Sequence, residues 1–131
     1  MQWLIDIVIE AIGIPPVFIN RGDIATQDFS FADFDQDGLQ HDLDLSGIVP
    51  SNASAISFWF DGFSATVESP VVFMPKAHTH VTNSCELVAQ VAGVLIRGDF
   101  VLPIGPDGLI KYFFGTPDWD FMGMYVKGWW L

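Results

Sequence analysis

Hydrophobic and polar residues alternate with a period of two over much of the chain after residue 27. In the segment LQHDLDL (39–45), leucine and histidine take the odd positions, and glutamine and aspartate take the even ones. Such alternation places the two classes on opposite faces of a β-strand. Further short stretches of this kind, separated by glycine and proline turns, lie at 29–31, 55–63, 71–74, 86–92, 99–104, 109–114 and 121–130. The pattern predicts an all-β protein of about eight strands, built as a two-sheet antiparallel sandwich or jelly roll.

The first 13 residues follow a helical pattern instead. Gln2, Asp6 and Glu10 recur every four positions, so a helix would carry one narrow polar line on an otherwise apolar surface. A short helix of this kind must be buried, either against its own domain or against neighbouring subunits. We expect an oligomerisation helix at 1–13 and a β-sandwich domain at 14–131. The residues expected at the subunit contact are Trp3, Leu4, Ile7, Val8, Ala11 and, from the last strand, Trp130.

Composition limits the possible partners. The 131 residues suffice for one domain with a core. Sixteen acidic and five basic residues give a net charge of −11, which repels phosphates and argues against nucleic acid as a partner. Half of the residues are hydrophobic and only 16% are charged, yet no stretch is apolar and long enough to span a membrane. The surplus apolar surface therefore predicts a symmetric homo-oligomer.

The segment DFDQDGLQHDLD (33–44) matches the spacing of a twelve-residue calcium loop. Asp33, Asp35 and Asp37 stand at its first, third and fifth positions, glycine is sixth, and Asp44 is twelfth. A strand through its second half competes with the loop, because a rise of ~3.3 Å per residue would hold Asp44 away from the turn. An Asp-Gly pair between alternating runs is also typical of a hairpin. We favour the hairpin and expect no cofactor, with calcium as the alternative.

Two histidines form a second candidate metal site. His78 and His80 are two residues apart, so an extended strand would present both imidazoles to one transition metal. Two ligands do not complete a site, and a third would have to come from His41, an acidic residue or a symmetry copy. We therefore favour no metal here either.

Catalytic motifs are missing from the sequence. It contains no Gly-x-Ser-x-Gly segment and no phosphate loop, and the single cysteine, Cys85, has no activating partner nearby in the sequence. We expect the protein not to be an enzyme.

The five tryptophans allow two interpretations. They are either anchors of the core and of a subunit interface, which we favour, or an aromatic platform for sugar rings with acidic residues accepting hydrogen bonds from hydroxyl groups. The residues of such a carbohydrate site would be Trp59, Asp61, Asp118, Trp119 and Asp120.

Three segments carry a resemblance to known proteins: INRGDIATQDFSFADFDQDG (19–38), HDLDLSGIVPSNASAISF (41–58) and MYVKGWWL (124–131). They resemble small β-sandwich proteins and terminal domains of tailed phages and viral metagenomes, most of them uncharacterised. The resemblance extends over residues 14–131. It implies a component of a virion, such as a fibre tip, a tail-associated adhesin or a capsid decoration protein, and hence a location in the virion or outside the cell.

Together these observations predict a non-enzymatic structural or adhesion protein of a virion, assembled as a homotrimer. It would present the loops 62–70, 76–85 and 104–108 to a host surface glycan or to another virion protein. The alternative is a carbohydrate-binding module that uses exposed tryptophans. A further alternative is an extracellular domain stabilised by calcium.

Overall fold

A computed structural model describes residues 17–80, 82 and 84–131. The predicted helix at 1–13 lies outside the described residues. Within them, no helix has the length and hydrophobicity needed to cross a membrane. The strands are β1 (Phe18–Asn20), β2 (Phe29–Ser30), β3 (His41–Asp44), β4 (Ala55–Ser64), β5 (Ser69–Pro75), β6 (Cys85–Ala89), β7 (Ile96–Pro103), β8 (Leu109–Phe114) and β9 (Trp119–Trp130).

The strands form two antiparallel sheets that pack face to face. In the first, sheet A, the strand order is β1-β9-β4-β7, and β2 also pairs with β9. In the second, sheet B, the order is β3-β8-β5-β6. All pairs are antiparallel. The all-β class and the two-sheet sandwich predicted from the alternation are therefore confirmed.

Aromatic side chains from both sheets meet in the core. Phe58 and Phe60 of β4 point inward, and their ring centroids lie 5.1 and 5.3 Å from that of Phe73 on β5. All three side chains are fully buried. Rings in such edge-to-face arrangements combine a large buried apolar area with a favourable contact geometry. Cys85 is a free cysteine, so this packing holds the sheets together without a disulfide in the described residues.

The segment between β2 and β3 crosses from sheet A to sheet B. Gly38 provides a turn there with a φ of +77°, but the strands on either side of it belong to different sheets and do not pair. The hairpin predicted at Asp37-Gly38 is therefore wrong. The local sequence does encode a turn followed by a strand, whereas the pairing partners, β9 for β2 and β8 for β3, are far away in the chain.

Phe34 anchors this crossing in the core. Its side chain is 6% exposed, and its ring lies 5.0 Å from Tyr112 and 5.7 Å from Phe114, both in sheet B. It also lies 6.2 Å from Phe60 in sheet A. Phe34 thus closes the space between the two sheets at the point where the chain passes from one to the other.

Replacing Phe34 by alanine is expected to lower the free energy of unfolding by about 3–5 kcal/mol, because it leaves a cavity among rings of both sheets. Phe31→Ala is the matched control: Phe31 lies three residues earlier and is 49% exposed, so its loss should change stability by only about 0.5 kcal/mol. Chemical unfolding of both variants measures the difference. Equal effects would show that Phe34 does not anchor the crossing.

Candidate functional site

A groove of about 510 Å³ lies on the outer face of sheet A. Its volume is within the range of ~300–1,000 Å³ that is typical of small-molecule sites. Strands β4 and β9 form its floor, and the loop after β1 forms a wall. The lining residues are Asn20, Gly22, Ile24, Trp59, Asp61, Tyr125 and Lys127.

Trp59 is one of the two aromatic residues on the floor. On β4 the inner residues are buried and the outer ones are half-buried, so the half-buried Trp59 faces away from the core. It lies directly opposite Tyr125 on β9 and Asp99 on β7. Lys127 donates a hydrogen bond to Asp99 Oδ1 at 3.0 Å, and because β4 lies between their strands, this ion pair crosses the sheet near Trp59. The floor therefore presents two neighbouring aromatic side chains beside a neutralised charge pair.

Asp61 lies next to this aromatic pair. It is two residues from Trp59 on the same face of β4, opposite Gly123 on β9. Its Oδ1 atom is buried and has no hydrogen-bond partner. A Cβ atom placed on Gly123 would lie 2.8 Å from Asp61 Oδ1 and 2.8 Å from Gln27 Oε1, so the glycine leaves room for these two polar groups to converge.

The wall of the groove is held in place by an arginine and an aspartate. The guanidinium of Arg21 lies 2.7 Å from Asp28 Oδ2 and also donates to the carbonyl oxygen of Val126 at 2.8 Å. Asp28 Oδ2 accepts a hydrogen bond from the N–H of Val126 at 2.8 Å. Strand β9 pairs with β1 at its residues 128–130 and with β2 at its residues 123–124. Between these two stretches, the loop that connects β1 to β2 leaves the sheet. The two side chains thus satisfy the backbone of β9 where no strand does.

The structure brings together two of the five carbohydrate-site residues predicted from the sequence. Trp59 and Asp61 share the groove, whereas Trp119 is 1% exposed and its ring lies 6.0 Å from Phe60 in the core. A register shift after Phe63 turns Trp119 inward. The two acidic neighbours of Trp119, which are Asp118 and Asp120, lie with it at the opposite end of β9 from Lys127.

Sequence reasoning missed the other lining residues, above all Tyr125. The alternation in FMGMYV (121–126) does place Tyr125 outward, because Met122, Met124 and Val126 are buried in the core. Its position beside Trp59 depends on the pairing of β4 with β9, which are separated by more than 50 residues. Outward-facing aromatic residues on several predicted strands were the available signal, and they do not specify which strands are neighbours.

Three of the four carboxylates that would bind the ion in the segment considered as an alternative calcium loop are engaged locally. Asp33, Asp37 and Asp44 each accept a hydrogen bond from a backbone N–H two or three residues away, at 2.8 to 2.9 Å. Strand β3 ends at Asp44, which keeps that side chain away from the turn at Gly38. In the described part of the chain, no group of three or more His, Cys, Asp or Glu residues is placed to hold a metal ion.

His78 and His80 belong to the loop after β5. His80 is exposed, whereas the Nδ1 atom of His78 is buried and has no hydrogen-bond partner. Lys111 donates a hydrogen bond to the carbonyl oxygen of His78. His78 also lines a second cleft, of about 420 Å³, between this loop and the turn at 103–107. Three prolines line the cleft, and among the described residues it gathers no set of metal ligands.

The first groove has the chemistry of a binding site. It combines an aromatic floor with a carboxylate, an amide and a phenolic hydroxyl group, and its lining contains no nucleophile beside a base. No model of a known protein family matches the chain, and no curated protein matches it. The interpretation of the groove therefore depends on its geometry.

A small polar cluster lies at the turn before β3. His41 Nε2 lies 2.7 Å from Asp37 Oδ1, and His41 Nδ1 lies 3.8 Å from Asp35 Oδ2. The hydrogen bond from His41, together with one from the N–H of Leu39, holds the pKa of Asp37 below its ordinary value of 3.8. The cluster stabilises the ionised carboxylate in the folded protein.

Replacing Asp37 by asparagine is expected to make the free energy of unfolding depend less on pH in the acid range. Because folding lowers the pKa of Asp37, its contribution is complete above the pKa of the unfolded state and is lost as the pH falls through the lowered pKa of the folded state. Chemical unfolding of both proteins between pH 7 and about pH 2 should show a gap at neutral pH that closes in acid. Asp23→Asn, in an exposed position, controls for the loss of one carboxylate. A gap that does not change with pH would contradict this role of Asp37.

Proposed function

We propose that the protein is a non-enzymatic adhesion protein that binds a carbohydrate in the groove on sheet A. The observation that supports this best is the pairing of Trp59 with Tyr125 on the floor, beside the carboxylate of Asp61, whose Oδ1 atom has no hydrogen-bond partner among the described residues. A sugar ring has an apolar face of C–H groups and a rim of hydroxyl groups. The two aromatic side chains suit the face, and the carboxylate suits the rim.

The expected affinity for a single sugar is weak. An open groove on a sheet encloses only one side of a ligand, so we expect dissociation constants in the millimolar to micromolar range, roughly −4 to −8 kcal/mol. Several copies in one assembly would raise the overall avidity on a surface that carries many glycans. The resemblance to phage and viral β-sandwich proteins makes a virion the proposed setting, with a host surface glycan as ligand or another virion protein as partner.

We propose that the sandwich is a jelly roll, the finer of the two topologies expected from the sequence. The strand orders support this, because in each sheet an early strand lies beside a late one: β1 next to β9 in sheet A, and β3 next to β8 in sheet B. Jelly rolls occur in viral capsid and lectin domains. One fold serves many functions, so a jelly-roll topology agrees with the proposed carbohydrate binding but is not itself evidence for it.

We also propose a homotrimer, which fits an exposed apolar patch at the edge of sheet A. Val17 is 58% exposed, and Phe18 and Leu131 are about two-fifths exposed. The ring of Trp130, predicted as an interface residue, lies 4.7 Å from that of Phe18 in the same patch. Among the described strands β1 pairs with β9 alone, and a sheet edge of this kind can pair with a neighbouring copy. The other predicted interface residues, Trp3, Leu4, Ile7, Val8 and Ala11, lie outside the described residues.

Replacing Trp59 by alanine is expected to weaken glycan binding at least about tenfold, because it removes the larger of the two aromatic side chains on the floor. Phe113→Ala is the matched control, since Phe113 is a half-buried aromatic residue on β8 of the other sheet. A glycan array followed by titration of the best sugar measures both variants. Equal binding by wild type and Trp59→Ala would rule out this groove as the site.

Light scattering after gel filtration tests the assembly. Wild type is expected at three times the chain mass of 14.5 kDa. Val17→Asp should shift the protein toward single chains, because it places a charge in the apolar patch. Val67→Asp is the control. Val67 is similarly exposed, at 55%, and lies in the loop after β4, at the end of that strand away from the apolar patch. A monomeric wild-type protein at micromolar concentration would refute the trimer.

A further inference from the structure

We infer that the groove selects neutral sugars and amino sugars over acidic sugars, and that Asp61 is the residue that makes this selection. The inference rests on the proposed function, since it specifies the class of carbohydrate that the same site takes. It is carried by the hydrogen bonds, the charges and the space around Asp61.

Asp61 has an unusual environment for a partly buried carboxylate. Its Oδ1 atom is enclosed and has no hydrogen-bond partner among the described residues. A partly buried charge without a partner is costly, and each missing hydrogen bond adds to that cost. A ligand that supplies a hydroxyl or ammonium donor would relieve it. A ligand that places a second carboxylate there would increase it.

The surroundings of Asp61 supply acceptors at the same point. The missing side chain of Gly123 lets the carboxylate and the Gln27 amide oxygen approach one position, each 2.8 Å from where a Cβ would stand. Of these two groups, Asp61 belongs to the groove lining, so this end of the groove presents carboxylate oxygen to a ligand. Sugar hydroxyl groups can donate to such oxygens, and a protonated amine does so with an added favourable charge.

The cations near the groove do not offset this acceptor-rich end. Lys127, the single cation among the lining residues, is paired with Asp99. Arg21 in the wall is paired with Asp28. Arg97 lies opposite Asp61 on β7, but it is exposed, lies outside the lining and makes no ion pair with Asp61 within 4 Å. The net charge of −11 adds a longer-range repulsion of anionic ligands.

Matched sugars and matched variants test the inference. For each hexose that binds wild type, calorimetric titration at pH 7 is repeated with the corresponding uronic acid and the corresponding 2-amino sugar. Wild type is expected to bind the uronic acid at least about tenfold more weakly than the hexose, and the amino sugar at least as tightly. In Asp61→Asn the penalty for the uronic acid, which is the ratio of its dissociation constant to that of the hexose, should fall to about threefold or less. Glu86→Gln removes the same charge from an exposed position on β6 in sheet B, and it should leave the penalty unchanged.

The outcomes separate this inference from the proposed function. If hexoses bind and Trp59→Ala abolishes binding, but uronic acids bind as well as hexoses, the selection is overturned while the function stands. If Glu86→Gln reduces the penalty as much as Asp61→Asn does, overall charge makes the selection, and the role of Asp61 is overturned. If Arg97→Ala abolishes tight binding of a uronic acid, the charge argument is also overturned. If wild type binds no sugar on the array, the proposed function fails, and the inference fails with it.

Discussion

The register between β4 and β9 determines which side chains meet on both faces of sheet A. On the inner face it places Phe60 opposite Met124, and both are fully buried. On the outer face it places Trp59 opposite Tyr125 on the floor of the groove. Because side chains alternate strictly along a strand, a slip of one residue would exchange the two faces and expose the aromatic core. The packing that stabilises the sandwich therefore also fixes the geometry of the groove.

The wall depends on a second contact with the same strand. Arg21 and Asp28 bind the backbone of Val126 from a loop that has left the sheet, so the loop stays against β9 without pairing as a strand. A partly buried ion pair of this kind is stabilised more by its extra hydrogen bonds than by the attraction between its charges. Removing either residue would leave the other charge partly buried without a partner. This arrangement opens the space between the loop and Trp59. A continuous strand in place of the loop would have lain flat beside β9 and formed no wall.

Local patterns in the sequence predicted the strands well and the long-range pairing poorly. The alternation over 39–45 and 55–63 corresponds to β3 and β4, because one buried face is enough to impose a period of two. The hairpin at Asp37-Gly38 failed, since an Asp-Gly turn is favourable whether or not the flanking strands pair. Trp119 turned inward because a register shift interrupts the alternation before it. The pairing of Trp59 with Tyr125 could not be predicted either, because it depends on the order of strands in the sheet.

The balance between stability and binding is clearest at Asp61. A hydrophobic or amide side chain at this outward position of β4 would avoid the cost of an unpaired carboxylate, and the strand would keep its alternation. The core gains nothing from Asp61, which lies on the opposite face of the sheet from Phe60, and its Oδ1 atom has no hydrogen-bond partner in the described part of the protein. Buried polar groups without a partner are rare in folded proteins, and local rules of this kind are broken most often at functional sites. Asp61 thus costs stability in the free protein and suits a donor-bearing ligand, and this cost is the physical link between the fold of sheet A and the binding proposed for it.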